Sequence, residues 1–457
     1  MRKTFKIVLL SCSMFVMTCT AHAESLFEAL AYTYETNPTL EASRAYLRSV
    51  DERVGQAKAG WRPNLSAVGN AAYTDQRFKN YPGTDDFDYD NDAYDAGLSL
   101  TQPIFSGFKT VSGVNYAETI VKQERENLKS TEQAVLLNSA VAYVDVITQR
   151  AVLELQKNQE QVLARHLKSY QKRFEVGDLT KTDVAQSEAR LEGAKTNRIV
   201  AEGDLETANA AYVSMVGRKP PEKTRVNDLD KFLPKTLSEC LDIMRTNNPS
   251  LKAAEFADEA SQYNITLQRG DLLPELNVNA GAGYQWGQPL PQLDDKYDGH
   301  YWQIGANLTV PLYQGGGEYA KVREAKQLAN QARINLEQVK RDLVKSTTQA
   351  WEQYRSTKSS IESIEAQIKA SKMALDGVIR EADVGSRTVL DVLDAEQEYL
   401  NNRVQLVQAE RNMTVAALNL LSAMGHMTAG SLKLNVAQYN PQDYYENVSS
   451  KLIGTGI

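Results

Sequence analysis

Two aspartates three residues apart, Asp391 and Asp394, stand among apolar residues in the stretch VGSRTVLDVLDAEQEYL (residues 384–400). Side chains at this spacing share one face of an α-helix. Paired carboxylates suit general acid–base catalysis, metal binding or a charged ring that selects cations, and helical carboxylates also commonly face solvent. No nucleophile or histidine accompanies the pair, so the pattern does not favour catalysis.

The same arrangement of glycine and aspartate occurs earlier in the chain. The stretch VGDLTKTDVAQSEARL (residues 176–191) aligns Gly177 with Gly385 and Asp183 with Asp391. Self-similarity at a constant offset is the signature of an internal duplication. The carboxylates therefore belong to a repeated structural unit.

Longer segments support the duplication. The matched pairs are SLFEALAYTYETNPTLEASRAYL (residues 25–47) with TLSECLDIMRTNNPSLKAAEFAD (residues 236–258), and LSLTQPIFSG (residues 98–107) with ANLTVPLYQG (residues 306–315). The alignment predicts a first repeat, a linker, a second repeat and a C-terminal segment. Their bounds are residues 24–217, 218–235, 236–425 and 426–457.

Residues 1–23 have the pattern of a secretory signal peptide, with basic residues, a short apolar run and an AHA cleavage site. The apolar run is too short to cross a bilayer as a helix. Cys12 and Cys19 lie within the predicted signal peptide, but the residues before Cys19 form a poor lipobox, so lipid attachment is the less favoured alternative. After cleavage Cys240 has no second cysteine with which to form an intrachain disulfide.

The overall charge is acidic, with 58 Asp and Glu residues against 51 Lys and Arg, and removal of the signal peptide takes away further positive charge. An acidic chain disfavours nucleic acid as the partner. Beyond the signal peptide, no stretch has the roughly 20 apolar residues of a transmembrane helix. The composition predicts an exported protein that is not held in an inner membrane.

Alternating apolar residues predict two strands in each copy. The alternation is clearest over residues 276–284 and 302–310 of the second copy, and it is present more weakly over residues 65–73 and 94–100 of the first. A period of two indicates a strand with one apolar and one polar face. The sequence therefore predicts four strands in each chain.

These strands suit a membrane barrel. Each has about ten residues, the length of a tilted transmembrane strand, with Tyr or Trp near its ends. We predict that Pro103 and Pro311 close the second strand of each copy, because proline donates no N–H. Four strands cannot close a barrel, and sheet edges in lipid leave backbone groups unpaired, so several chains must combine. Two, three or four copies would give eight, twelve or sixteen strands, and physical arguments alone do not choose among them.

The remainder of each copy is predicted to be helical. Residues 107–176 contain no proline and little glycine, and these roughly 70 positions make a helix near 105 Å long at about 1.5 Å per residue. An equally long segment follows Gly315. Apolar residues at seven-residue spacing on the returning helix favour side-by-side coiled-coil packing. Each copy thus forms a long antiparallel hairpin, with Gly177 and Gly385 at the bends.

The duplicated strand–strand–hairpin plan, the pairs NPTL/NPSL and QPIFSG/VPLYQGG, and the stretch VGSRTVLDVLDAE resemble the TolC family of outer-membrane efflux channels. The resemblance implies an α+β, mainly α chain that forms a homotrimer. Three chains would build a twelve-stranded barrel in outer-membrane lipid and a helical tunnel that extends into the periplasm. The linker and the C-terminal segment would form a belt around the tunnel.

The resemblance also assigns candidate roles to single residues. Asp391 and Asp394 match aspartates that close the periplasmic entrance. Arg387 matches an arginine that links neighbouring coils, with Thr182 and Asp183 as its partners. Threefold symmetry would turn each aspartate into a ring of carboxylates, which is an arrangement that selects cations.

One position departs from the family pattern. Ala382 stands where the family often has a tyrosine in the inter-coil network, so fewer hydrogen bonds are expected to hold the closed state. At the bends, Val176, Gly177, Val384 and Gly385 are expected to dock a periplasmic adaptor protein, which in turn engages an inner-membrane pump. The sequence names neither the adaptor and pump nor the cargo.

Other motifs give weaker indications. Residues 85–92, DDFDYDND, resemble a calcium loop but lack the glycine and glutamate that an EF-hand requires, which favours an acidic external loop. QGGGE, residues 314–318, lacks the Lys-Ser/Thr ending of a phosphate loop and favours a hinge between strand and helix. The histidines show no metal-ligand spacing, so we predict neither metal nor cofactor.

The resemblance implies a passive exit duct of a tripartite efflux or type I secretion system, located in the outer membrane and not an enzyme. Its cargo would be drugs, toxic compounds or proteins. A diffusive porin and a secreted coiled-coil structural protein are the alternatives.

Overall fold

The computed structural model describes residues 24–79, 87–222, 224–225, 229–290 and 295–456. The predicted signal peptide, with Cys12 and Cys19, lies outside the described residues, as do parts of the acidic loop and of the linker. The chain forms two compact units, and each takes segments from both sequence copies. The first contains residues 24–33, Ser139–Leu229 and Ile364–Arg411, and the second contains Tyr34–Asn138, Asp230–Ser363 and residues 412–456.

Helices make up most of the described chain, and the prediction of a mainly α chain with four long strands is confirmed. The helices are α1 (Leu26–Thr36), α2 (Pro38–Lys58), α3 (Lys109–Glu175), α4 (Lys181–Val216), α5 (Leu237–Asn247), α6 (Pro249–Arg269), α7 (Gly317–Asp383), α8 (Val389–Ala423) and α9 (Pro441–Val448). The strands are β1 (Glu24–Ser25), β2 (Asn64–Phe78), β3 (Phe87–Ser106), β4 (Thr224–Arg225), β5 (Glu275–Leu290) and β6 (Asp295–Thr309).

The four long strands form one antiparallel sheet in the order β2-β3-β5-β6. Each sequence copy supplies one hairpin, and the pairing of β3 with β5 joins the two copies. Cross-strand partners point to the same face of a sheet. One such row contains Ala67, Leu98, Ala282 and Trp302, and Trp302 is 75% exposed. The predicted alternation therefore produces a sheet with an exposed apolar face.

The strands are longer than the predicted ten residues, at 15, 20, 16 and 15 residues in chain order. The prediction that Pro103 closes its strand is wrong, because β3 continues to Ser106. The register with β5 shifts between Pro103 and Phe105. A bulge of this kind accommodates a residue without an N–H. In the second copy, β6 ends at Thr309, just before Pro311.

Two helices of 67 residues each, α3 and α7, bear out the predicted long helical segments. None of the helices in the described ranges combines the length and the apolar character needed to cross a membrane. The prediction of glycine at the bends is also correct. Gly177 and Gly385 follow α3 and α7 with φ of 83° and 78°, and a left-handed residue of this kind ends many helices.

The two bends use the same hydrogen bonds. The N–H of Gly385 donates to the Ala382 carbonyl at 3.1 Å, and the N–H of Ser386 donates to Glu381 at 2.9 Å. Gly177 and Asp178 make the equivalent bonds in the first copy. A Cβ atom at either glycine would meet nothing within 4 Å. Glycine is therefore required by the positive φ and not by lack of space.

The Asn-Pro pairs noted in the sequence begin α2 and α6. The Asn248 side chain accepts from the N–H groups of Ser250 and Leu251 at 2.9 and 3.2 Å, and Pro249 occupies the first helical position. Asn37 and Pro38 repeat this arrangement at α2. Such a cap satisfies backbone donors that have no partner inside the helix. Asn248 also donates to the Ala423 carbonyl at 2.9 Å.

Replacement of Asn248 with Ala is expected to destabilise the protein by about 1 kcal/mol through loss of the cap, and further through loss of the bond to Ala423. Thermal unfolding of the purified protein, followed by circular dichroism, measures the change. The control is Asn248→Ser, which keeps a capping oxygen and loses only the donor. Equal unfolding midpoints for the Ala and Ser variants would contradict the capping role.

Candidate functional site at the hairpin bends

The candidate residues lie in the first compact unit, around the two bends and the first turns of α4 and α8. A cluster of buried apolar side chains packs these helices together with α3. Its members are Leu163, Tyr170, Leu191, Ala194, Val389 and Leu393. Leu393 and Leu400, two positions of the predicted seven-residue repeat, are both buried. This packing fixes the start of α8, which carries both candidate gate aspartates.

Asp391 caps the helix on which it lies. Its Oδ2 accepts from the Thr388 N–H at 2.9 Å and from the Thr388 hydroxyl at 2.8 Å, and its own N–H donates to that hydroxyl at 3.2 Å. This reciprocal arrangement is a capping box. The Thr388 N–H, then the Thr388 hydroxyl, and more weakly the charge of Arg387, hold the pKa of Asp391 below its ordinary value. The carboxylate is therefore ionised at neutral pH.

Asp183, the aligned residue of the first copy, makes the same contacts with Thr180. Its Oδ2 accepts from the Thr180 N–H at 3.0 Å and from the Thr180 hydroxyl at 2.7 Å. The sequence analysis did not assign this role to either aspartate. The signal was present, since Thr followed three residues later by Asp, before an apolar run, is a capping-box pattern.

Asp394 forms an ion pair with Arg190 of α4, with 2.5 Å between Asp394 Oδ1 and Arg190 Nη2. Both side chains are about half exposed, and exposed pairs of this kind contribute little to stability. The pair connects the first turns of α8 to α4. The sequence analysis missed Arg190, because only the packing of the two helices brings it to Asp394.

Arg387 donates from Nε to Glu381 Oε2 at 2.9 Å, so it bridges the bend of its own hairpin. The hydrogen bond that Arg387 donates to Glu381 raises the pKa of Arg387 further, and the guanidinium is charged. In the part of the chain that the structure describes, Arg387 forms no ion pair with Asp183. A single chain therefore does not bring Arg387 together with the partners that the resemblance assigned to it.

The residues at the tips of the bends are highly exposed. Val176 and Val384 are each 80% exposed, and each directly precedes the left-handed glycine of its bend. Ala382 is half-buried and offers no side-chain hydrogen bond. Each bend therefore presents one exposed apolar side chain at an equivalent place.

Among the described residues, no group of three or more His, Cys, Asp or Glu side chains could hold a metal ion. The site instead offers two carboxylates on one helix face, and each uses only one of its oxygens in the contacts above. Carboxylates in this arrangement can attract cations electrostatically.

Acidification is expected to loosen the first turn of α8. The folded-state pKa of Asp391 is lowered, so the stabilisation is fully present above the ordinary aspartate pKa of about 3.9 and is lost as the pH falls through the folded value. Hydrogen exchange of the first-turn amides, corrected for the chemical exchange rate, should show reduced protection at pH 3 compared with pH 6.

The first turn of α6 provides an internal control, because Asn248 caps it with an amide that does not titrate. Its corrected protection should change much less over the same range. Similar losses of protection in α6 and α8 would indicate general acid unfolding and contradict the assignment to Asp391.

Comparison with known proteins gives a consistent result. The sequence model of one family, described as "outer membrane efflux protein", matches residues 32–218 and again residues 240–426. The outer membrane efflux protein BepC of Brucella suis biovar 1 is 35% identical over 439 residues, which cover 95% of this chain and 92% of that protein. The outer membrane protein TolC of Escherichia coli K12 is 25% identical over 95% of this chain and 89% of its own.

Solved structures show the same fold at lower identity. The Campylobacter jejuni CmeC outer membrane channel superposes with a TM-score of 0.78 at 17% sequence identity. The alignment covers 93% of this chain and 89% of that one.

Proposed function

The chain belongs to the outer membrane efflux protein family, and we propose that it is the outer-membrane exit duct of a tripartite efflux or type I secretion system. The observation that carries this function is the 35% identity to an outer membrane efflux protein over 95% of the chain. Both sequence copies match the family model. The family is one of transport channels and not of enzymes. Since this relative is named for efflux, we favour a tripartite efflux system over type I secretion.

The sheet supports assembly into a homotrimer. In one chain β2 and β6 are the outer strands, and each pairs along one side only. Open edges in lipid would leave backbone donors and acceptors unsatisfied. If β6 of one chain pairs with β2 of the next, three copies close a ring of twelve strands. The exposed apolar face would then contact outer-membrane lipid.

At the bends, three copies of Asp391 and Asp394 would form two rings of carboxylates at the periplasmic entrance. Each chain would contribute the pair on its α8 helix, which the buried cluster around Leu393 holds in place. Rings of carboxylates attract and select cations. The ion pair of Asp394 with Arg190 would help to keep the entrance closed, and breaking it would accompany opening.

Arg387 would contribute to the same gate by contacting a neighbouring coil. Its bond to Glu381 is exposed, and an exposed guanidinium can exchange partners at low cost. In the trimer it would reach Thr182 and Asp183 of a neighbouring coil, using the carboxylate oxygen that the capping box leaves available. Ala382 would add no hydrogen bond to this network, so fewer bonds would hold the closed state.

The exposed tips would dock a periplasmic adaptor protein that connects the duct to an inner-membrane pump. Val176 and Val384 supply apolar contact area, and the neighbouring Gly177 and Gly385 allow close approach of another chain. Two equivalent tips per chain would give six in a trimer. Residues 218–235 and 426–457 would form a belt around the tunnel.

Replacing Asp391 and Asp394 together with Ala is expected to weaken block by trivalent cations by about tenfold or more, equivalent to about 1.4 kcal/mol of binding. The carboxylates that attract the blocking ion are removed. Single-channel conductance of the purified protein in a planar bilayer measures both the channel and its block. Cation selectivity should also fall in the double variant.

Thr388→Ala is the matched control, because it breaks the same capping box and leaves both carboxylates in place. Block of this variant channel by trivalent cations should stay close to that of the unmodified protein. Unaltered block in the double aspartate variant would remove these residues from the entrance. Absence of any conductance from folded, inserted protein would refute the duct and favour the coiled-coil structural alternative.

Replacing Val176 and Val384 with Glu is expected to abolish efflux in cells while conductance in a bilayer is retained, because a charged tip opposes apolar docking. The minimum inhibitory concentration of exported compounds is the readout. The control replaces Leu452 and Ile453, which are 74% and 89% exposed in the C-terminal segment, with Glu. Loss of efflux in the control alone, or in neither variant, would contradict docking at the tips.

A further inference from the structure

The C-terminal helix α9 is too short to be stable by itself, since isolated helices of fewer than about 12 residues are marginal in water. It is held against α2 and α3 by a few contacts. Tyr444 donates its hydroxyl to Glu52 of α2 at 2.8 Å, and Tyr445 donates to Glu118 of α3 at 3.5 Å. We call residues 440–451, which include α9, the C-terminal strap.

Apolar side chains of the strap pack against α2 and α3, and Val448 of α9 is buried. Tyr445 packs against a cluster formed by Val50, Val54, Ala117 and Val121. The chain beyond α9 is tied by one further bond, from the Arg62 guanidinium to the Lys451 carbonyl at 3.0 Å. Segments with few buried contacts open at low free-energy cost. A change in the charge of one buried side chain beneath the strap can therefore shift the equilibrium between the closed and the open strap.

Asp51 is such a group. Its side chain lies on α2 next to the apolar cluster and is 0% exposed. Within the described part of the chain, neither carboxylate oxygen has a hydrogen-bond partner. A buried ionised carboxylate without hydrogen bonds is costly, and protonation is the usual way in which a protein avoids this cost.

The charged and titratable groups around Asp51 come from all three helices. Arg125 and Glu118 lie on α3, Glu52 on α2, and Tyr444 and Tyr445 on α9. Arg125 is the cation that could neutralise Asp51, but its guanidinium lies over the Tyr445 ring, 5.2 Å from the centroid. Its Nε and Nη2 atoms are buried and, among the described residues, have no hydrogen-bond partner.

Burial is the main cause that raises the pKa of Asp51, to about 6. The charge of Arg125 lowers this pKa in part, and the charge of Glu52 raises it. The folded-state value is above the ordinary aspartate value of about 3.9, so the closed state binds more protons than the open state between these two values. The closed strap therefore loses stability as the pH rises from about 4 to 6, and the loss persists at higher pH.

We propose that the C-terminal strap closes in a pH-dependent way. It packs against α2 and α3 in acid and opens more often at neutral pH, and Asp51 is the group that titrates. Protonated Asp51 removes the buried negative charge and gains a hydroxyl that can donate. When Asp51 is ionised, opening of the strap lets water solvate the carboxylate and removes the free-energy cost of burying its charge. This inference rests on the contacts of the strap and is independent of the proposed channel function.

Hydrogen exchange of the α9 amides in the purified full-length chain tests the proposal. After correction for the chemical exchange rate, the opening equilibrium should increase about twentyfold between pH 4.5 and pH 7.5, as follows from pKa values of about 6 closed and about 3.9 open. The N–H of Ser449, which donates to Tyr445 in the last turn, is a suitable reporter. Equal corrected protection at both pH values would overturn the proposal.

Two variants test whether Asp51 is the group that titrates. Asp51→Asn, which keeps the shape and cannot ionise, should remove the pH dependence and leave the strap closed at pH 7.5. Arg125→Met should move the midpoint to higher pH, because it removes the charge that lowers the pKa of Asp51. The second variant keeps the test decisive if the first does not fold.

Glu52→Gln is the matched control, since it removes a carboxylate that contacts the same strap through Tyr444. It should weaken protection at every pH, and the pH dependence should remain but become somewhat smaller, because Glu52 no longer raises the pKa of Asp51. Unchanged pH dependence in Asp51→Asn, or its loss in Glu52→Gln, would assign the titration to another group and refute the role of Asp51.

Discussion

The edges of the four-stranded sheet are the constraint on which the assembly of this protein depends. Pairing of β3 with β5 satisfies the inner strands, whereas β2 and β6 each keep one side unpaired in a single chain. The exposed apolar rows on the sheet belong in lipid, where such edges are not tolerated. Pairing of these edges with further copies of the chain, as proposed above, would meet both requirements. An internally duplicated protomer suits this solution, because each copy adds one hairpin to a closed ring.

Structural features that depend on residues adjacent in the chain could be predicted from the sequence. A period of two identified the strands, and the absence of proline with little glycine identified the long helices. Gly177 and Gly385 were placed correctly because their left-handed bends follow from local chain chemistry. The interruption of β3 at Pro103 was not predicted, since the register of the sheet decides whether a proline ends a strand or lies in a bulge.

The candidate site could be predicted only in part. Asp391 and Asp394 were identified as a pair on one helix face, but their immediate partners were not. The bond of Asp391 to Thr388 was readable as a local pattern. The ion pair of Asp394 with Arg190 arises from helix packing, and the burial of Asp51 arises in the same way. A sequence shows which residues can ionise, whereas the packing determines which of them lose water.

Comparison of the two sequence copies distinguishes the residues at the bends that the fold requires from those that it does not require. The cap aspartate Asp391 has a counterpart in the first copy that makes the same bonds, so helix capping alone accounts for its presence. Arg387 and Asp394 have no such counterpart, because Leu179 and Gln186 occupy the aligned positions. The first copy bends and starts its helix without these charges, so the fold does not require them. Arg387 and Asp394 are thus the residues whose presence calls for a functional explanation, whereas the capping of α8 already explains Asp391.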